Sequence, residues 1–187
     1  MTGIPLRIAE STGRYERMLR RFTYGGGSGS STCEGGYHNA HVILGVVGER
    51  SEARGDLWPH DDERWPQACS GCGRPFGDGD QWQLNDNRIC RLPDGTEFVF
   101  WGSFGRCAPP GTMLRAAWYD EFTEQPGESW IVALPDGGEW ITTQKAAGGG
   151  YWEVTGTAPD ITVSPSIFHN APTGWHGWIR NGELVPA

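Results

Sequence analysis

The residues best equipped for chemistry are cysteines and histidines. Cys69 and Cys72 stand three apart in QACSGCGRPF, and Gly73 follows the second. A C-x-x-C turn aims two sulfurs at one point, and small neighbours let backbone N–H groups approach the thiolates. A structural zinc needs four ligands, so two more must come from elsewhere. The candidates are Cys33, His38, His41, His60, Cys90, Cys107, His169 and His176. Cys33 and His38 form the preferred pair, because CEGGYH offers a thiolate and an imidazole from one short loop. Metal binding would also explain how the Gly/Ser-rich run GGGSGSSTCEGG becomes ordered. The expected site is one structural zinc held by Cys33, His38, Cys69 and Cys72, with His41 and His60 in reserve. Against it stands the plain alternative of two free thiols at a turn.

Other chemistries fit the motif less well. A thioredoxin-like C-x-x-C sits at the start of a helix, and GRPFGDGD cannot open one. HDDERWPQACSGC imitates the H-x-E…P-C-x-x-C signature of zinc deaminases. It puts Asp62 where the general acid/base Glu belongs, and Ala68 where the Pro belongs. His60 and Cys69 are also too close for the intervening strand such a core needs. Cys90 and Cys107 read as small core residues. His169 and His176 read as hydrogen-bonded structural histidines, and Asp61–Glu63 as a solvated acidic turn. No G-x-S-x-G elbow, P-loop or H-E-x-x-H occurs.

The elements that must position these residues read as strands and turns. The sequence has 29 glycines and 13 prolines, which signal many turns and few long helices. GIPLRIAE and RRFTY carry β-formers, and HVILGVV fits a buried strand. WQLNDNRICRLPDGTEFVFW predicts turns at Asn85–Asp86–Asn87 and Pro93–Asp94–Gly95. WIVALPDGGEWITT predicts another at Pro135–Asp136–Gly137. TMLRAAWYDEF is ambiguous between strand and short helix, and KAAGGG is a loop tip. Asn181–Gly182 predicts a terminal hairpin with Trp175, Gly177 and Ile179 on one side and His176, Trp178 and Arg180 on the other. The expected fold is mainly β: packed antiparallel sheets or a small open barrel, with a zinc knuckle and few short helices. It is read as a single domain over 1–187: N-terminal strands and the Gly/Ser loop to 48, a connection and knuckle over 49–80, and a hairpin-rich core over 81–187.

Composition narrows the partners. The net charge of −8 argues against a general nucleic-acid-binding surface. Locally, Arg14, Arg17, Arg20 and Arg21 cluster beside one acid in RYERMLRR. They read as a solvated basic segment or as an arm for an acidic protein partner. The 10 tryptophans supply core area first. Trp58 and Trp65, flanked by prolines, are the candidates for exposed stacking residues. No apolar run reaches the ~20 residues of a membrane span, and the N-terminus lacks a signal-peptide core. With 5 cysteines and no export signal, a disulfide framework is not expected.

Several stretches resemble a known group. YHNAHV, WPHDDERWPQACSGCG, DGDQWQL, APPGTM and PSIFHNAPTGWHGWIRNGEL resemble uncharacterised proteins of actinobacterial phages, from about Arg7 onward. WEVTGTAPDITVSPSI through WHGWIRNG also resembles a wider domain-of-unknown-function family of phages and bacteria. In that family a CxCG- or CxxCG-type knuckle and a terminal Cys-x-x-His point to zinc. Here Thr173 stands at the last cysteine while His176 remains, so the terminal motif lacks its thiolate. The resemblance implies a phage origin and a shared fold, and no known activity. The expected function is a zinc-stabilised accessory or structural protein, such as a minor capsid or decoration component. Its partners would be other phage proteins or a host protein, in the host cytoplasm or the virion. The alternatives are a metal-dependent enzyme using His169, His176, Asp61 and Asp62, and a host-directed inhibitory protein.

Overall fold

The structure, a computed structural model, describes all residues except 1–2, 24–32, 34–36, 52–57, 103–106, 147 and 170–173. The chain is mainly β, built of antiparallel sheets. Fourteen strands and one 3-10 helix, Ala117–Phe122, are found among the described residues. Its backbone groups into two compact units: Met1–Thr12 with Cys90–Ala187, and Gly13–Ile89.

The first unit is organised around a sheet in the order β2 (Arg7–Ile8), β7 (Thr112–Arg115), β8 (Trp130–Ala133), β9 (Glu139–Ile141). β2 runs parallel to β7, and the other neighbours are antiparallel. β8, with the sequence WIVA, is buried on both faces, so it reads as a continuous apolar run rather than an alternating one. The pleat still sorts the side chains of this sheet. Met113, Val132 and Leu134 enter one core, with Trp140, Ile161, Val163, Ile179 and Leu184. Leu114, Ile131 and Ala133 enter another, with Cys90, Leu92, Phe98 and Phe100. TMLRAAWYDEF resolves into both of its readings, since Thr112–Arg115 is strand and Ala117–Phe122 is 3-10 helix.

A second sheet in this unit has the order β1 (Ile4–Pro5), β14 (Glu183–Pro186), β13 (His176–Arg180), β12 (Ile167–Phe168). β10 (Glu153–Thr157) and β11 (Asp160–Ser164) form a separate hairpin. The terminal hairpin forms at Asn181–Gly182, both with positive φ (47° and 76°). Gly177 and Ile179 are buried while His176 and Arg180 are exposed, the alternation the sequence predicts.

In the second unit, β4 (His38–Val47), the part of β3 (Glu10–Thr23) from Gly13 on and the part of β5 (Gln81–Arg91) up to Ile89 are neighbours in that order. Leu19, Trp65 and Leu84 form its core, flanked by Leu44, Trp58 and Trp82. Three expectations need correcting. HVILGVV is a strand but not a buried one: among the described residues β4 is an edge, and Val42, Ile43 and Val46 are 37–57% exposed. Asn85–Asp86–Asn87 makes no turn and lies within β5. There Asp86 accepts both Nε and Nη2 of Arg17, at 2.8 and 2.9 Å, and the Ser51 amide, which satisfies the carboxylate without a reversal. Cys107, in the first unit, is exposed rather than core, while Cys90 is fully buried.

The Asp86 side chain is 2% exposed. Burial pushes its carboxyl up, but the Arg17 and Ser51 hydrogen bonds outweigh this and hold it below the ordinary 3.8. A depressed folded value stabilises the fold above the unfolded pKa and loses that contribution as pH falls below it. Urea unfolding between pH 7 and pH 3 should therefore show wild-type stability falling below about pH 4, and Asp86→Asn flattening that acid limb. Arg17→Ala, which strands a buried carboxylate, should cost on the order of 3 kcal/mol at pH 7.

Candidate functional site

The second unit brings the four expected metal ligands together. Ligand atoms of Cys33, His38, Cys69 and Cys72 all lie within 4.8 Å of one another. Cys33 Sγ is 3.8 Å from Cys69 Sγ, and Cys72 Sγ is 3.3 Å from His38 Nδ1. The geometry follows from local sequence. Ala68 and Pro75 form an isolated β-bridge that closes the C-x-x-C turn. Within it Gly73 N donates to Cys69 O at 2.9 Å, and Gly73 takes φ +75°, where a side chain is strained. Gly71 N donates to Cys69 Sγ at 3.4 Å, and a Cβ on Gly71 would sit 3.1 Å from Cys33 Sγ. His38 is placed by the start of β4, opposite Thr23. The Ser70 amide donates to Asn39 O at 3.1 Å and ties the turn to β4.

The cluster shifts Cys33 and Cys69 in opposite directions. Burial pushes Cys69 up, but amide donors and His38 overcome it and bring it down to about 6. Hydrogen bonds to Cys72 and Cys69, with burial, push Cys33 up to about 12. One thiolate is therefore welcome here and a second is repelled. A divalent cation among them removes that repulsion, so the donor set fits one metal ion. It is the one such group of His, Cys and acidic side chains found among the described residues.

The Arg and Trp candidates are engaged inside the second unit. Arg14 is half-buried on β3, and Arg17 is held by Asp86. Arg20 bonds the Tyr37 hydroxyl and lies over the Phe22 ring at 4.9 Å. Arg21 is buried, donates to Gly77 O at 2.9 Å and stacks 3.8 Å from the Trp82 ring centre. Trp58 donates to Asp62 and carries Arg64 over its ring at 4.9 Å. Trp65 is 1% exposed and donates to Pro59 O, so it offers no open indole face. Asp62 is gripped by Arg64, which with the Trp58 bond holds it well below the usual carboxylate range.

The first unit contains a constellation the sequence reading missed. Ser166 Oγ and His176 Nε2 are 3.1 Å apart. Ser166 directly precedes β12 and His176 opens β13, where Ile167 pairs with Gly177 and Phe168 with His176. The pleat puts Ser166, Phe168, His176 and Trp178 on one face, and Ile167, Gly177 and Ile179 on the buried one. That outer face is accessible, with Phe168 62% exposed. The distance is that of a nucleophile–base hydrogen bond. His169 faces elsewhere: its Nδ1–H donates to Asp136 Oδ2 at 2.8 Å. Burial pushes the Asp136 carboxyl up, but the Trp175 amide, His169 and the Gly138 amide hold it below its ordinary value. The two histidines are thus hydrogen-bonded separately, to Ser166 and to Asp136. Only register could have revealed the Ser166–His176 pair, and a lone Pro-Ser-Ile gives no such signal. The Thr173 position of the terminal motif lies outside the described residues.

Comparison with known proteins adds one match. The family model described as "Bacterial ubiquitination-like system serine protease (BubE)" matches residues 123–187, about the last third of the chain. That segment contains Asp136, Ser166, His169 and His176. Neither the curated proteins nor the solved structures yield a match.

Proposed function

We propose that the C-terminal part of this chain is a serine hydrolase that cleaves amide bonds, and that the other unit is held together by one structural zinc. The observation that carries the hydrolase reading is the 3.1 Å contact between Ser166 Oγ and His176 Nε2 on an accessible sheet face, inside the segment similar to a serine protease family. A serine–histidine bond on a sheet surface is common by itself. Its coincidence with that similarity favours a reactive role. In this reading the Ser166 oxygen bonds to the carbonyl carbon of an amide while His176 Nε2 takes the hydroxyl proton. His176 returns that proton to the leaving amine nitrogen as the C–N bond breaks, leaving an ester on Ser166. Water, deprotonated by His176, then bonds to the ester carbon; the carbon–oxygen bond to Ser166 breaks, His176 returns the proton to the Ser166 oxygen, and the acid is released. Carried over from the family's description, the substrate is a protein of a ubiquitination-like system.

Zinc fits the cysteine site because a tetrahedral ion with Zn–S bonds of about 2.3 Å separates two sulfurs by about 3.8 Å, the spacing found between Cys33 and Cys69. Three thiolates and one imidazole form a closed structural set with no position for substrate. A second reading keeps the binding role in a phage particle. It is favoured by the apolar, exposed edge of β4, which suits contact with another protein.

Three outcomes are expected. A fluorophosphonate probe should label the wild-type chain at Ser166. Ser166→Ala should abolish labelling, and His176→Ala should slow it about 10²–10⁴-fold; equal labelling of Ser166→Ala sinks the hydrolase reading. Elemental analysis should find one zinc per chain, lost in Cys33→Ser and Cys69→Ser together with cooperative melting of that unit. A metal-free wild type that melts cooperatively would exclude structural zinc. For the binding reading, mass spectrometry of purified virions should detect the protein, and its absence from particles would remove that role.

A further inference from the structure

The sequence contains LPDG twice, and both copies fold into the same turn. In the first, Gly95 N donates to Leu92 O at 2.9 Å and Thr96 N donates to Asp94 Oδ1 at 2.9 Å. In the second, Gly137 N donates to Leu134 O at 3.1 Å and Gly138 N donates to Asp136 Oδ1 at 2.9 Å. Each turn uses one carboxylate oxygen and leaves the other over. Asp94 spends its spare oxygen on Arg7 at 2.6 Å, with its own side chain 48% exposed.

Asp136 does something different. Its side chain is 4% exposed. Its spare oxygen, Oδ2, accepts His169 Nδ1–H at 2.8 Å and the Trp175 amide at 2.9 Å. His169 N in turn donates to Trp175 O at 2.9 Å. His169 directly follows β12, and Trp175 directly precedes β13. One oxygen therefore ties together the two chain ends where these strands part, next to the Phe168–His176 pair. The ring of His169 reaches Asp136 only because residue 138 is glycine: a Cβ there would lie 2.1 Å from His169 Cε1.

We propose that Asp136 is a positioning residue that holds β12 and β13 in the register placing Ser166 Oγ against His176 Nε2. This rests on the hydrolase reading for its catalytic meaning. The chemistry requires a carboxylate. Three N–H donors converge on Asp136, from Gly138, His169 and Trp175, and an amide side chain has a single acceptor oxygen. Asparagine would turn its NH2 group toward a donor and lose either the turn or the tie. At Asp94 the same change leaves an oxygen for the Thr96 amide and sacrifices an exposed ion pair, worth little. A shift of about 1 Å between the strands would break the Ser166–His176 bond and cost reactivity.

The test uses the full chain and the fluorophosphonate probe, separating the maximal inactivation rate from the probe's apparent affinity. Asp136→Asn should lower the maximal rate at least about 10-fold with affinity unchanged, in protein with a native circular dichroism spectrum. Asp94→Asn, the matched control, should leave both unchanged. Wild-type labelling of Asp136→Asn, or an equal loss in Asp94→Asn, overturns the proposal. If Asp136→Asn does not fold, His169→Asn removes one tie and keeps the other. A partial loss of rate is then expected, and a wild-type rate refutes the tie. The His176 ring signal in 1H–13C spectra reads positioning without any reaction. It should move between wild type and Asp136→Asn, and an unmoved signal overturns the proposal. If wild-type Ser166 does not label at all, the hydrolase reading falls, and the ring signal still decides whether Asp136 sets the register.

Discussion

The first unit depends on the complete burial of one short strand. Ile131, Val132, Ala133 and Leu134 are each at most 2% exposed, and they alternate between two separate cores. A strand with apolar partners on both faces cannot slip by one residue without exchanging every side chain between cores of different shape. The turn that follows inherits that rigidity. Asp136 is two residues past Leu134, so its carboxylate is presented at a fixed height above the second core. Packing on this strand therefore sets the position of a polar group that the terminal hairpin uses. The chain of cause runs from apolar pattern to register, and from register to hydrogen bonding.

The second unit solves a different problem. Its apolar core is small, with Leu19, Trp65 and Leu84 at its centre. Polar contacts supplement it: Arg17 on buried Asp86, and Arg21 stacked on Trp82. With a metal bound, the chain between Cys33 and Cys69 becomes a closed loop. Restricting a loop of that length in the unfolded chain is worth about 4 kcal/mol by the entropy argument applied to disulfides. A small core cluster gains most from such a clamp.

The cysteine cluster was legible in the sequence because its parts are local and chemically distinctive. Cys69 and Cys72 share one turn, Cys33 and His38 share one loop, and no other residue types hold a soft metal so well. The hairpin at Asn181–Gly182 was legible for a similar reason: few residues accept two successive positive φ angles. Other features escaped because they are settled by partners remote in sequence. Asp86 has turn chemistry on paper, yet Arg17, 69 positions away, holds it in a strand. HVILGVV looks buried, but nothing in its composition says that, among the described residues, β4 has a strand on one side only. Ser166 and His176 meet through the pairing of two strands, and neither residue type signals that pairing.

The two LPDG turns bear on how sequence variation in this chain should be read. Their backbones and first hydrogen bonds are the same, so selection for the turn alone would treat them alike. Asp94, half exposed, serves Thr96 and one arginine, and asparagine could replace it in descendants at little loss. Asp136 serves three donors in a buried setting, and its replacement leaves some of them unanswered. Drift should therefore erode the first copy while the second, with Gly138 and His169, changes only as a group. Recurrence of a motif within one chain measures how easily a turn forms; what its spare oxygen touches measures what the turn is for.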